Sequence, residues 1–460
     1  MESITSGNNI LLLLDSFSDA AEKLYHSFRM ADYSFTTVVL EENGFLPEGV
    51  VSLFGYFLGD FSKSASALGK PLYFNQVPVP EFWQISGTYR QGEIRDKSHK
   101  RGRIFYAKPE NKRLVQKVEW LDENGTCRSI DHFNSKGALY AKTTCNAEGR
   151  PVMKTHFSAT GQEKVVENFE TGDVILNGEK EEVRVFHGRV EFALYMLGEA
   201  GLSDLTVCYN SLSTPFFISE KLKHSKKRHI LFWQEPVKGD IPGNMKYIFT
   251  KGECQTKAVF VQRKDAYEKL VELGAKEEML RKLGYIYPFQ RQNKYGHNAL
   301  ICTNSDQIEQ LQKLIESLPN FHFHIAAITE MSAKLMAFGN CENVSLYPNV
   351  KDKQLDQLFD TCDWYFDINH ADEIVSAVER AFMNNQLIFA FQETVHRPEL
   401  MPKEYIYPVS EVDRMIVSVK ECLYGTTLAD IHLIKQREAA AAESVKEYQQ
   451  VLSYILPQKK

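Results

Sequence analysis

Five glycines step through the middle of the chain at nearly constant spacing. Gly125, Gly137, Gly149, Gly161 and Gly172 are separated by 12, 12, 12 and 11 residues. Each follows a polar residue, as in Asn124-Gly125, Lys136-Gly137 and Thr171-Gly172. The interval leaves room for one strand and one turn, and glycine supplies the positive φ that tight hairpin turns require. Between the turns polar and apolar residues mix, as in Lys142-Thr143-Thr144 and Val165-Val166-Glu167-Asn168. The spacing predicts an antiparallel β-meander from about Leu72 to Val185. Such a sheet can leave one face in water, and its edge invites pairing with another chain.

The flanks have a different rhythm. Ile10 to Leu14 is a short apolar run, and Asp15, Ser16, Ser18 and Asp19 follow with turn and N-cap chemistry. Ala21, Leu24, Tyr25 and Phe28 then recur on one helix face before a second run, Thr36 to Leu40. After the meander the same pattern resumes with runs at Thr206–Tyr209, His229–Trp233 and Lys257–Val261. Tyr285 to Phe289, with Pro288, reads as a linker. Five more strands follow, at Ala299–Cys302, His322–Ile328, Val344–Tyr347, Trp364–Ile368 and Leu387–Phe391. Ile374, Val375, Ala377, Val378, Ala381 and Phe382 give the best helical pattern between them. The expected fold is α/β, with two Rossmann-like domains and an inserted β-meander. The domains expected are 1–71 with 186–288, the insert 72–185, a second α/β domain 289–425, and a helical tail 426–460.

Composition narrows the function classes. Hydrophobic residues are 43% and aromatics 12%, which excludes disorder over most of the chain. A net charge of -6, from 54 basic and 60 acidic residues, carries no nucleic-acid signature. No apolar run approaches the roughly 20 residues of a membrane span. Met1-Glu2-Ser3 offers no basic segment ahead of an apolar one, so a cytosolic protein is expected. The eight cysteines form no C-x-x-C pair and read as reduced thiols rather than zinc ligands.

Polar residues gather where strands end. Asn210, Ser211 and Ser213 follow one strand, and Gln234 and Glu235 another. Asn304 and Ser305, Thr329 and Glu330, and Asn369 and His370 follow strands of the second α/β region. Open parallel sheets bind ligands at strand carboxyl ends, so these are the candidate contacts, and their mostly uncharged polar groups suit a ligand that offers amides and hydroxyls. Turn and N-cap chemistry explains the same residue types without a ligand. His370 reads first as a satisfied loop histidine rather than a base. His322 and His324 share a strand face, and with no further ligand they read as packed rather than metal-bound. Arg90 to Lys117 holds ten basic and three acidic residues, which suits a solvated sheet face as well as an anionic partner or leaflet. Trp83, Phe105, Tyr106 and Trp120 offer an aromatic surface or, by default, core packing.

Two Rossmann-like domains resemble a GT-B glycosyltransferase. Retaining members usually place a basic pair after the first strand of the second domain, and two glutamates spaced E-x7-E near a later helix. Here Glu379 aligns with the second glutamate, but the first falls at Ala371. The loop Cys302-Thr303-Asn304-Ser305-Asp306-Gln307 holds no Arg or Lys. Each missing charge-stabilising donor costs about 2.7–4 kcal/mol of transition-state stabilisation. No D-x-D triplet supports a metal-dependent site.

Many short stretches then resemble one family in order. They include Asn43-Gly-Phe-Leu-Pro47, Gly69-Lys-Pro-Leu-Tyr-Phe-Asn-Gln-Val-Pro-Val-Pro80, Tyr209-Asn-Ser-Leu-Ser-Thr-Pro-Phe-Phe217, Phe232-Trp-Gln-Glu-Pro236, Thr303-Asn-Ser-Asp-Gln-Ile308 and Asp367-Ile-Asn-His370. The family is GtfB, the stabilising subunit of the GtfA–GtfB O-GlcNAc transferase of the bacterial accessory Sec system. The resemblance implies a GT-B-like fold and no transferase activity or cofactor of its own. It implies a catalytic GtfA-like partner in a two-plus-two heterotetramer, with serine-rich repeat adhesins as acceptors. It also implies peripheral contact with the cytoplasmic face of the membrane. An active retaining transferase and a purely structural scaffold are the alternatives left by the residues themselves.

Overall fold

The computed structural model describes residues 9–59, 68–178, 182–222, 229–250 and 254–453. The expectation placed on Met1 to Ser3 and the last residues of the tail, 454–460, lie outside them. The chain forms two compact units, Met1–Lys282 with Tyr448–Lys460, and Leu283–Glu447.

In the first unit, β1 (Ile10–Ser16) leads to α1 (Asp19–Met30), β2 (Phe35–Glu41) and β3 (Val50–Ser52). Ser18 caps α1 by accepting from the Ala21 amide at 3.3 Å. Ten strands follow, β4 (Gln84–Gly87) through β13 (Val183–Phe186), each antiparallel to its sequence neighbours. The glycines at 125, 137, 149, 161 and 172 all have φ between +78° and +81°. Asp122, Asn134, Asn146 and Ser158 each stand three residues ahead of a turn glycine. Their side-chain oxygens accept backbone amides within the turn, as Asn134 Oδ1 does from Lys136 and Ala138 at 3.0 Å each.

After the meander come α2 (Arg189–Glu199), β14 (Thr206–Tyr209), α3 (Thr214–Lys221), β15 (His229–Trp233), α4 (Gly243–Thr250), β16 (Thr256–Val261), α5 (Lys264–Glu272) and β17 (Leu280–Lys282). These strands join β1–β3 in one parallel sheet of order β17-β16-β15-β14-β1-β2-β3. The insert and this sheet share a core: Val165, Val174, Leu176 and Phe186 of the meander pack with Leu11, Leu13, Val38 and Leu40. The opposite end of the meander has its own small core around Ile94, Ile104, Tyr106 and Val118.

An ion-pair cluster that runs from the surface into the core joins the insert to the first sheet. Arg189, the first residue of α2, reaches Glu41 at the end of β2 and Glu167 of β11 (Glu163–Asn168), the latter at 2.6 Å. His156 of β10 (Pro151–Phe157) donates from Nε2 to Glu167 at 2.9 Å and stacks on Phe54 at 4.4 Å. Burial opposes ionising Glu167, but His156 and Arg189 hold its carboxyl below the usual range.

The second unit contains β18 (Asn298–Thr303), α6 (Leu311–Ser317), β19 (His322–Ala327), α7 (Ala333–Met336), β20 (Val344–Tyr347), α8 (Asp352–Thr361), β21 (Trp364–Asp367), α9 (Ala377–Met383), β22 (Leu387–Phe391) and β23 (Ile406–Tyr407). Its parallel sheet has the order β20-β19-β18-β21-β22-β23. α10 (Val412–Tyr424) and α11 (Thr426–Ala439) pack on it, and α12 (Val445–Ser453) ends the described chain. α11 is built into this sheet rather than appended to it. Gln436 accepts from the Ile388 amide at 2.8 Å and donates to the Gln386 carbonyl at 3.0 Å. Among the described residues no helix is long and apolar enough to cross a membrane.

One local expectation changes. The apolar pattern from Ile374 predicts a helix, but α9 begins only at Ala377. Val375 and Ser376 have φ of +50° and +51°, and the Glu373 carboxylate accepts the Val378 amide at 3.0 Å. Ile374 is buried by packing, not by helical phase. Asp372 and Glu373 lie in the approach to the helix.

Candidate functional site

Each parallel sheet reverses its strand order once, and the polar clusters stand at those reversals. In the first unit the switch lies between β1 and β14. Beyond these strands Asn210 accepts the Asp15 amide at 2.9 Å and donates to Gln234 Oε1 at 3.0 Å. Gln234 donates to Gln262 Oε1 and to the Ala20 carbonyl, both at 2.8 Å. Ser211 donates to Ser213 at 3.1 Å, and Ser213 donates to Asp15 Oδ1 at 3.3 Å. Burial raises the Asp15 carboxyl above its ordinary range, against the Ser213 hydrogen bond. The cluster is thus a ladder across four strand ends. Asn210 and Ser211 are buried, Gln234 half-buried, and Glu235 stands exposed outside the ladder. Asp15 and Gln262 belong to it and were not among the candidates. Gln262 follows its strand as Asn210 does, a signal the sequence offered.

In the second unit the switch lies between β18 and β21. Thr303 donates to Asn369 Oδ1 at 2.7 Å across it, and the Ser305 amide donates back to Thr303 Oγ1 at 3.0 Å. The loop after β18 then pairs with the segment after β21. The Glu309 amide donates to the Ile368 carbonyl at 2.8 Å, and the His370 amide to the Gln307 carbonyl at 3.0 Å. His370 Nε2 meets Glu309 Oε2 at 2.6 Å. An open hollow of about 290 Å³ beside this pair is lined by Gln307, Ile308, Glu309, Lys334 and His370. Asn304 and Ser305 are half-buried at its side of the sheet, while Thr329 and Glu330 stand exposed beyond β19.

Cations are present here, though not where the loop after β18 would supply them. His396 Nδ1 lies 2.6 Å from Asp367 Oδ1, and Arg397 donates to Glu373 at 2.9 Å. Lys334 reaches the Asp306 carbonyl at 3.4 Å. Glu379, half-buried on α9, faces Arg397 electrostatically. Ala371 contributes only its carbonyl, which accepts Asn369 Nδ2 at 2.9 Å. Sequence spacing could not find His396 or Arg397, because the chain returns to Asp367 only after a further strand.

The remaining candidates are held by packing and cross-strand bonds. His322 meets Ser345 at 2.7 Å, and His324 meets Tyr347 at 2.9 Å, both on β20. Burial and His322 depress the His324 imidazole to about 4. Among the described residues no group of three or more His, Cys, Asp or Glu could hold a metal ion. In the basic stretch, Arg95 and Lys100 pair with Glu93, and Arg103 and Lys117 with Glu119. Tyr106 is buried, and Trp83 and Trp120 pack against the same core. Phe105 instead carries the Lys117 ammonium 4.3 Å from its ring centre.

Family models match nearly every element described. They are the GtfB N-terminal domain over residues 11–57, the GtfB middle domain over 83–187, the GtfB third domain over 189–273, and the GftB/GlyA-F C-terminal domain over 299–436. The middle-domain match spans the ten-stranded sheet. The UDP-N-acetylglucosamine–peptide N-acetylglucosaminyltransferase stabilizing protein GtfB of Streptococcus agalactiae is 39% identical, over 96% of this chain and 99% of its own. The protein of the same name from Streptococcus gordonii is 37% identical, over 97% and 99%. A chain in the crystal structure of a GtfA/B complex bound to UDP and GlcNAc superposes with a TM-score of 0.91. It is 38% identical, over 97% of this chain and all of that one. The two parallel-sheet units with an inserted antiparallel sheet are a GT-B-like α/β fold, and the chain belongs to the GtfB family of glycosyltransferase stabilizing proteins.

Proposed function

We propose that the chain is the non-catalytic, stabilising and acceptor-binding subunit of a protein O-GlcNAc transferase. Its partner is a catalytic GtfA-like chain, in a two-plus-two heterotetramer. The complex transfers the first GlcNAc from UDP-GlcNAc to Ser and Thr of serine-rich repeat adhesins, before their export by the accessory Sec system. It works in the cytoplasm, in peripheral contact with the membrane, where the basic stretch Arg90–Lys117 faces anionic headgroups.

One observation carries the non-catalytic reading. At the second switch point the basic side chains other than Lys334 meet carboxylates within the chain: His370 meets Glu309, His396 Asp367 and Arg397 Glu373. A leaving diphosphate needs unmatched donors or cations aimed at it. The uncharged hydrogen-bonding groups of both clusters, Asn210, Ser211 and Ser213 in one and Asn304, Ser305 and Asn369 in the other, support the acceptor role, since a Ser/Thr-rich peptide offers hydroxyls and amides rather than charge.

Co-expression with the catalytic partner tests the proposal. The complex should glycosylate a synthetic Ser/Thr-rich peptide, and this chain alone should not. The interlocked ladder at Asn210 and Gln234 also suits a scaffold with no acceptor affinity. Direct peptide titration separates the two, because the scaffold predicts no binding by the complex beyond that of the catalytic chain.

A further inference from the structure

His396 stands between two acceptors. Its Nδ1 lies 2.6 Å from Asp367 Oδ1, and its Nε2 lies 2.7 Å from the Ala371 carbonyl oxygen. The carbonyl oxygen only accepts, as does the carboxylate. A neutral imidazole has one N–H and would turn a lone pair toward one of these oxygens, whereas an imidazolium donates to both. The His396 backbone amide also donates to Asp367 Oδ2 at 2.8 Å, so one residue occupies both carboxylate oxygens. Asp367 ends β21 and is almost fully buried. The ring therefore ties a strand end to the loop beyond it, bracketing Ile368, Asn369 and His370.

We propose that His396 is a positioning residue: as an imidazolium it clamps Asp367 to Ala371 and holds the Asn369–His370 segment in the geometry that meets the acceptor polypeptide. The inference rests on the acceptor-binding reading above. It also gives Ala371 a role. Where a donor-binding enzyme would carry a carboxylate, this chain presents a carbonyl to an internal cation.

The surroundings agree. Asp367 faces the ring from β21 and Glu373 from the loop. Arg397 lies behind Glu373, with Glu379 and Glu399 facing it in turn. Across the crevice His370 is paired to Glu309. Burial alone would depress the His396 imidazole, but the Asp367 hydrogen bond and charge raise it to about 9. A folded value above the free one of about 6.5 means the clamp is fully present below that pH. It is lost as pH rises through the folded value.

The test has two arms. In the full-length chain, ¹⁵N-histidine NMR should show both His396 nitrogens protonated near neutral pH, with one proton lost near pH 9. In the complex with its catalytic partner, affinity for a synthetic Ser/Thr-rich peptide should fall about fivefold or more over that same interval. Asp367→Asn should move both transitions down toward an ordinary histidine. His396→Gln should weaken peptide binding about tenfold at neutral pH and remove the pH step, with partner assembly retained. A singly protonated ring at neutral pH would overturn the proposal, and this arm needs no variant to fold. So would peptide affinity in both variants that matches the unaltered complex at every pH. If the unaltered complex bound no peptide at any pH, the acceptor reading and the positioning role would both fall. The proton count would then still show whether the clamp exists.

Discussion

At Gly44 a Cβ would stand 2.4 Å from the Phe133 carbonyl oxygen and 2.9 Å from the Tyr140 ring. Its φ is +79° as well, so conformation and space both require glycine. The Gly44 carbonyl accepts the Ser135 amide at 2.8 Å, which ties the loop after β2 to a meander turn. Gly161 has the same backbone, with nothing within 4 Å of its missing Cβ. Gly161→Ala should therefore cost about 1 kcal/mol from backbone strain alone, and Gly44→Ala about 3 kcal/mol, read from urea unfolding. Equal losses would mean that the close approach contributes nothing. At this scale the turn glycines were legible from spacing alone. The Asp, Asn or Ser three residues ahead of the first four is nearly as regular, and it is the second local mark of these turns. The strand-end candidates were found because polar residues directly follow apolar runs. His396 and Arg397, which meet Asp367 and Glu373 beside them, come from beyond a further strand, so local pattern holds no trace of that pairing.

Among the elements, α2 and α11 do work that helical periodicity does not reveal. Arg189 opens α2 and is the cation between Glu41 and the buried Glu167. Arg189→Met should leave Glu167 without its cation and cost about 3–5 kcal/mol. Hydrogen exchange should then rise first in β10 and β11, where the meander meets the first sheet. A uniform rise across the unit would contradict the ion-pair cluster as the local fastener. On α11, Gln436 serves the Ile388 amide of β22 and the Gln386 carbonyl just before it, and His432 donates to the Ile388 carbonyl at 3.1 Å. Gln436→Leu fits the same space but leaves buried groups unmet, so unfolding stability should drop by about 2–4 kcal/mol. A neutral result would mean water replaces the amide. The start of α9 shows the limit of pattern reading. Ile374 matches the helical period, yet Glu373 and two left-handed residues place the helix start at Ala377.

For the whole molecule, fold class was legible because its two rhythms differ. A period near 12 residues marks hairpins, and apolar runs separated by amphipathic helices mark parallel sheets. Ten of the thirteen parallel-sheet strands were legible to within a residue or two, while the short edge strands β3, β17 and β23 were not. Which strands are neighbours was not, since order depends on contacts between distant runs. That order matters most, because it places both polar clusters at topological switch points. On the function proposed above, the second switch point pairs most of its charges within the chain and does not grip a sugar nucleotide. Calorimetric titration of the isolated chain with UDP and UDP-GlcNAc, followed by a turnover assay on the same sample, decides this. No binding heat and no released UDP are expected, while the complex with its catalytic partner shows both. Saturable UDP binding by the isolated chain that is lost on replacing Lys334 or Arg397 would contradict it.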